Sequence, residues 1–201
     1  MKIPRFDNAH ILIIGDAMLD RYWHGDTHRV SAEAPIPVID VSSIEDRPGG
    51  AANVALNVAT LGAASSLIAA TGQDEMSDIL ESKLSSSGID CRFIRVEGMS
   101  TITKVRLVSR SQQMIRADFE AQFDIHASQV VTGMDLIPEY DSVVLSDYDK
   151  GLFSDPSSII ENARNKGRPV LVDPKFKPFS AYQGATVIKH NTLELKNAVG
   201  D

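Results

Sequence analysis

With 201 residues, 43% apolar and 23% charged, the chain is long enough for one sizeable core, and no apolar run in it is long enough to span a bilayer. Its formal charge of −7 argues against general nucleic-acid binding but leaves room for a small anion held by local cations, as in "TKVRLVSRSQQMIR". The single cysteine, Cys91, can close no internal disulfide and has no Cys or His at metal-ligand spacing, so it reads as a structural thiol. "MKIPRFDNAH" lacks the pattern of a secretory signal, which makes the cytoplasm the expected compartment and gives no reason to expect a membrane partner.

Along the chain, short β-rich runs alternate with helical patterns. "HILIIG" (10–15) leads to the helix "NVALNVATLG", "SSLIAATG" (65–72) to the helix "EMSDILESKLSSSG", and "RFIRV" (92–96) follows. Later come "SVVLSD" (142–147), the helix "PSSIIENARNKG", "RPVLVDP" (168–174), "ATVIKHN" (185–191) and the start of a helix in "TLELKNAVG". Near-continuous apolar strands at this rhythm predict an α/β fold, a parallel sheet with helices on both faces. Two stretches break the rhythm. "APIPVIDVSSIE" (34–45) and "TITKVRLVSRSQQMIRADFE" (101–120) alternate polar and apolar residues, which predicts a small antiparallel β lid with one exposed face.

In an open parallel sheet, ligands sit beyond the carboxyl ends of the strands. Those ends carry Asp16 and Asp20, Asp147 and Lys150, Asp173 and Lys175, and Asn191 and Glu194. Singly, Asp16, Asp173 or Asn191 could be a helix cap. Together they describe a site of carboxylates, an amide and lysines suited to a polyhydroxylated, phosphorylated molecule and to Mg²⁺.

"PGGAANVALNVATLG" (48–62) fits beside such a site. Gly49 and Gly50 let backbone approach a ligand, the helix that follows offers free N–H groups, and Asn53 brings a donor and an acceptor for sugar hydroxyls. Alone, the two glycines could equally be a turn. No G-x-x-x-x-G-K-[ST] occurs and no G-x-G-x-x-G follows the first strand, so the usual P-loop and dinucleotide motifs are excluded. His10, His24, His28, His126 and His190 show no metal-site spacing and read as structural or surface residues. In the lid, Lys104 and Arg106 share a strand face, and a hairpin at "SRSQQ" would bring Arg116 beside them. Adjacent cations are unfavourable unless an anion lies between them, so this reads either as a phosphate clamp or as a solvated face.

The pattern Gly49, Gly50, Ala51, Asn53, Ala55, Gly62 and Gly72, with Asp20 in "GDAMLD" and N-x-x-E at Asn191 and Glu194, resembles the ribokinase-like (PfkB) carbohydrate kinases. More narrowly, "RVSAEAPIPV", "RPGGAANVALN", "LSDYDKG" and "VLVDPK" resemble the branch acting on heptose 7-phosphate. That resemblance implies transfer of the ATP γ-phosphoryl group to the C1 hydroxyl of D-glycero-β-D-manno-heptose 7-phosphate, in the synthesis of the lipopolysaccharide core. It also implies a lid that covers the sugar and pairs two subunits. Carried onto this chain, it places Asp20, Gly49, Gly50 and Asn53 on the sugar and Lys104, Arg106 and Arg116 on its phosphate. Asp147 and Lys175 would line the floor, and Asn191 and Glu194 would organise the nucleotide's Mg²⁺, Glu194 through water. Residues 1–201 then read as the N-terminal portion of a ribokinase-like domain with lid insertions at about 21–45 and 92–120. The family's Gly-Ala-Gly-Asp loop, which carries the base and the anion hole, does not occur. The nucleotide half is therefore expected outside this sequence, and turnover by these residues alone is expected to be very slow. Another sugar kinase of the family, or a non-catalytic sugar-phosphate-binding or dimerising module, is the alternative.

Overall fold

The computed structural model describes residues 5–125, 135–153, 155–175 and 177–199; His126 lies outside them. Six strands form one parallel sheet: β1 (His10–Gly15), β4 (Ala64–Gly72), β5 (Asp90–Val96), β8 (Ser142–Asp147), β9 (Val170–Pro174) and β10 (Val187–Ile188), in the order β10-β9-β8-β1-β4-β5. β1 is central and its alternate side chains serve two cores. Ile13 packs with Leu67 and Ala69 beneath helices α1 (Ala51–Thr60) and α2 (Glu75–Ser85), while Leu12 and Ile14 pack with Val143, Leu145 and helix α3 (Ser157–Asn165) on the other face. Burial on both faces is why β1 reads as an unbroken apolar run.

Each helix is positioned by a local device. α1 starts at Gly50 without a side-chain cap, and Ala51, Ala52 and Ala55 let it lie close on the sheet. α2 is capped by Asp74, which accepts from the Ser77 amide at 2.9 Å. The same carboxylate takes the Thr101 amide (2.7 Å) and hydroxyl (2.6 Å), tying the helix start to the chain entering the lid. A final helix, α4 (Thr192–Val199), follows β10. No described helix is long and apolar enough to cross a membrane.

The lid is a four-stranded sheet of β2 (Ala17–Val30), β3 (Pro37–Gly50), β6 (Thr103–Ser109) and β7 (Gln112–Phe119), in the order β3-β2-β6-β7. The expectation of an antiparallel lid needs correction. β2–β3 and β6–β7 are antiparallel hairpins, but the central pair β2–β6 is parallel. Alternation reports a half-exposed sheet and is silent on strand direction. β2 and β6 leave the same carboxyl edge of the core sheet, after β1 and β5, and so run the same way. The bounds also shift: the lid spans 17–50 and 103–119, and Asp90–Val96 is a core strand paired with β4. The hairpin foreseen at "SRSQQ" turns on Arg110 and Ser111, whose φ values of 50° and 65° give the doubly left-handed turn that matches strand twist.

The two sheets meet at Asp16, between β1 and β2. Its amide donates to the Ser146 carbonyl (3.0 Å) and its carbonyl accepts from the Ala51 amide (3.0 Å). Its carboxylate accepts from the amides of Tyr148 (2.8 Å) and Lys150 (3.2 Å). Burial, opposed in part by those amides of Lys150 and Tyr148, pushes the carboxyl up from 3.8 to about 6. The folded protein thus holds this proton more tightly than the unfolded chain, so the contribution to stability is full below about pH 4 and is lost as pH rises through about 6. The stability of wild type relative to Asp16→Asn, from urea denaturation at about pH 4 and pH 7.5, should fall by roughly 2 kcal/mol over that range. A pH-independent difference would remove the coupling.

Gly50, at φ 58°, sits against the Asp16 carbonyl, and an added Cβ would collide with it. Gly50→Ala should lower stability by about 2 kcal/mol or more, measured by thermal and chemical denaturation.

Candidate functional site

A cleft of about 750 Å³ opens between the lid and the start of α1, lined among others by Asp20, Gly49, Gly50, Asn53, Lys104, Arg106 and Arg116. These are seven of the residues that the sequence singled out for sugar and phosphate, brought together from β2, β3, α1, β6 and β7. Pairing explains how. Asp20 lies opposite Arg47 on β3 and beside Lys104 on β6, and Lys104 lies opposite Asp118 on β7. One step further along, Tyr22 sits between Glu45 and Arg106, and Arg106 sits opposite Arg116. Side chains alternate across a strand, so both rows face the cleft.

Gly49 is what lets Asp20 lie close against the glycine loop: an added Cβ there would meet Asp20 Oδ2. Asn53, in the first turn of α1, is exposed on the cleft wall. Gly50 completes a backbone-lined corner suited to ligand hydroxyls or oxyanions.

The cations are charge-compensated within the protein. Arg106 Nη1 donates to Asp20 Oδ1 at 2.5 Å, with side-chain exposures of 18% and 20%. Lys104 Nζ bonds Asp118 (3.1 Å) and Glu120 (3.2 Å), Arg116 Nε bonds Asp118 (2.8 Å), and Lys150 Nζ bonds Glu120 (2.8 Å). Hydrogen bonds from Lys150 and Lys104 hold the Glu120 carboxyl below the usual range. Arg106 and Arg116 nevertheless stand directly opposite each other, the arrangement that a ligand oxyanion would relieve.

Sequence reasoning missed further contributors, four of them polar or aromatic groups of note. Arg47, bound to Glu45 at 2.7 Å, and Tyr22 line or border the same wall, and the guanidinium carbons of Arg47 and Arg106 lie 4.6 and 5.2 Å from the Tyr22 ring centroid. Tyr148 and Lys83 also line the cleft. Alternation alone would have put Tyr22 on the face of Asp20, but which strands lie beside it is not written locally.

Other expected residues lie elsewhere. Asp147 is not on the cleft floor: it is buried, and its carboxylate is occupied by Lys177 Nζ (3.0 Å to each oxygen), the Tyr182 hydroxyl (2.9 Å) and the Asp149 amide (2.9 Å). Its neighbour Tyr148 takes the place on the wall. Lys177, with a second carboxylate partner in Asp149 at 2.8 Å, had no signal beyond its closeness to Lys175. Lys175 is likewise off the cleft and bonds Glu194 at 3.1 Å.

Asn191 and Glu194 form a reciprocal cap on α4. The Glu194 amide donates to Asn191 Oδ1 (2.9 Å), and the Asn191 amide donates to Glu194 Oε2 (2.8 Å). That amide, with Lys175, holds the Glu194 carboxyl below its usual range. No group of three His, Cys, Asp or Glu is placed to hold a metal among the described residues. A lone carboxylate at a helix start does fit Mg²⁺ that keeps its waters and takes its inner ligands from phosphates. Half-buried Cys91, its thiol pushed up to about 11 by burial, fits the structural role expected of it.

Residues 8–201 match the model of the pfkB family carbohydrate kinases. Across all 201 residues the chain is 52% identical to the bifunctional protein HldE of Pseudomonas putida, spanning 42% of that protein's length. It is 52% identical over 208 aligned positions to that of Alkalilimnicola ehrlichii, again covering all of this chain and 42% of the relative. The chain thus spans less than half of these curated relatives. A carbohydrate kinase from Agrobacterium tumefaciens superposes with a TM-score of 0.76 at 17% identity, covering 96% of this chain and 64% of that one. Ribokinase from Arabidopsis thaliana, complexed with ribose and ATP, superposes with a TM-score of 0.71 at 15% identity, covering 96% and 63%. At those identities the structures speak for the fold alone. With the glycine pair, Asn53 and Asp20 gathered at one cleft and the family model running from residue 8 to the last, the chain belongs to the pfkB family of carbohydrate kinases.

Proposed function

We propose that this chain supplies the acceptor side of an ATP-dependent sugar kinase whose substrate is D-glycero-β-D-manno-heptose 7-phosphate, phosphorylated at O1 in lipopolysaccharide core synthesis. The observation that carries the reading is the cleft itself: a carboxylate, a glycine pair and an amide on one side, three cations on the other. Asp20, Gly49, Gly50 and Asn53 hold the hydroxyls and fix the reacting oxygen. Lys104, Arg106 and Arg116 hold the phosphate. Phosphoryl transfer is chiefly positioning and charge stabilisation, so a rigid double hold on the acceptor is the contribution expected of these residues. Asp147, expected on the substrate floor, takes a different role in this reading, as a buried support that with Lys177 and Tyr182 holds the chain next to Tyr148.

Mg²⁺ with ATP, when bound, supplies the phosphoryl group and neutralises its charge. Asn191 and Glu194 are the residues that would hold this magnesium through water, and Lys175, bonded to Glu194, would lie beside the donor phosphates. Neither the base nor the anion hole of transfer is assigned to any of these 201 residues.

The reading includes a cytoplasmic homodimer through the lid. The lid face away from the cleft exposes Ile44 (58%) and Ile115 (57%), linked by strand pairing through Trp23 and Leu107, and Phe119 (57%), opposite Thr103. A second copy covering them would bury that apolar surface.

Calorimetry should show heptose 7-phosphate binding at least tenfold more tightly than fructose 1-phosphate or ribose, and Gly49→Ala, which crowds Asp20, should weaken it at least tenfold. Equal affinity for ribose would shift the reading to another sugar. Sedimentation velocity should find a dimer that Ile115→Glu converts to monomer, and a monomeric wild type would remove the lid contact.

A further inference from the structure

Asp20 and Arg106 are each the group that a different half of a sugar phosphate requires, and in the ligand-free arrangement they satisfy each other. A carboxylate accepts from hydroxyls, and a guanidinium donates to an oxyanion. Both side chains are about four-fifths covered, so each is only partly rehydrated if its partner leaves. A neutral sugar that takes Asp20 leaves Arg106 unpaired. Inorganic phosphate that takes Arg106 leaves a bare Asp20 carboxylate beside a second anion. Only a molecule carrying hydroxyls at one end and an anion at the other replaces both partners at once.

We propose that the Asp20–Arg106 ion pair is a selectivity latch, which admits polyols bearing a phosphate and penalises either half alone. This rests on the cleft being the sugar-phosphate site. The surroundings say which partner moves. Asp20 is held against the sugar loop, where its Oδ2 occupies the space that a Cβ at Gly49 would need. Arg106 has somewhere to go: Arg116 is its direct cross-strand neighbour, and a phosphate between them relieves two like charges. The Tyr22 ring, 5.2 Å from the Arg106 guanidinium carbon, supports the side chain when it is released from the carboxylate. Specificity of this kind comes from the cost imposed on the wrong ligand as much as from contacts to the right one.

NMR titrations of the chain with inorganic phosphate, heptose 7-phosphate and the unphosphorylated heptose test the latch. Asp20→Asn preserves size and removes the charge that holds Arg106. It should bind inorganic phosphate about fivefold more tightly than wild type while binding heptose 7-phosphate at least tenfold more weakly. Arg106→Gln should show the mirror image, with tighter unphosphorylated heptose and weaker heptose 7-phosphate, and it decides the matter if the first variant does not fold. If wild type binds heptose 7-phosphate and neither variant gains affinity for its half-ligand, the latch is overturned and the cleft assignment stands. If wild type binds no heptose 7-phosphate, the cleft assignment falls and takes the latch with it.

Discussion

One residue's worth of chain, Asp16, holds the two sheets in a fixed relation. Its amide and carbonyl link the end of β8 to the first turn of α1, and its carboxylate gathers the backbone of the loop after β8. The contacts are possible because Gly15 and Gly50 lack side chains: a Cβ on Gly15 would strike the Ser146 carbonyl, and one on Gly50 would strike that of Asp16. This is the switch point of the sheet, where connections from β1 wind one way and those from β8 the other. A desolvated carboxyl is tolerated there because backbone amides take up much of its charge.

From that joint the cleft follows. β2 leaves it to carry Asp20, β3 returns to it with Gly49 and Gly50, and α1 begins there with Asn53 close behind. The cationic side is assembled differently, by lateral pairing of β6 and β7 onto β2. The side proposed for the acceptor's hydroxyls is therefore set by chain connectivity, and the side proposed for its anion by sheet register.

That division explains how much could be read from the sequence. The core sheet, its double helical cover and the glycine pair were legible because continuous apolar runs and local spacing encode them. Lys104 and Arg106 were legible because alternation places them on one face, and Arg116 because the hairpin at "SRSQQ" returns it beside them. Tyr22 and Arg47 were not, since their closeness to Arg106 and Asp20 depends on which strands become neighbours. The parallel β2–β6 pair was hidden for the same reason. Asp147 misled because a strand-end carboxylate looks alike whether it faces a ligand or, as here, Lys177 and Tyr182. At Asn191 and Glu194 the three-residue interval from which the resemblance implied a nucleotide motif closes, in the structure, a reciprocal helix cap.

Gly50 is the last residue of β3 and the cap of α1, and across the hairpin it pairs with Ala17, the first residue of β2. The lid therefore has no slack tether on this side. A tilt of its hairpin would have to pivot on that pair and would turn the first amides of α1 with it. With the cation rows holding a phosphate as proposed, a change in its grip would reach, through a single glycine, the loop proposed to hold the hydroxyls.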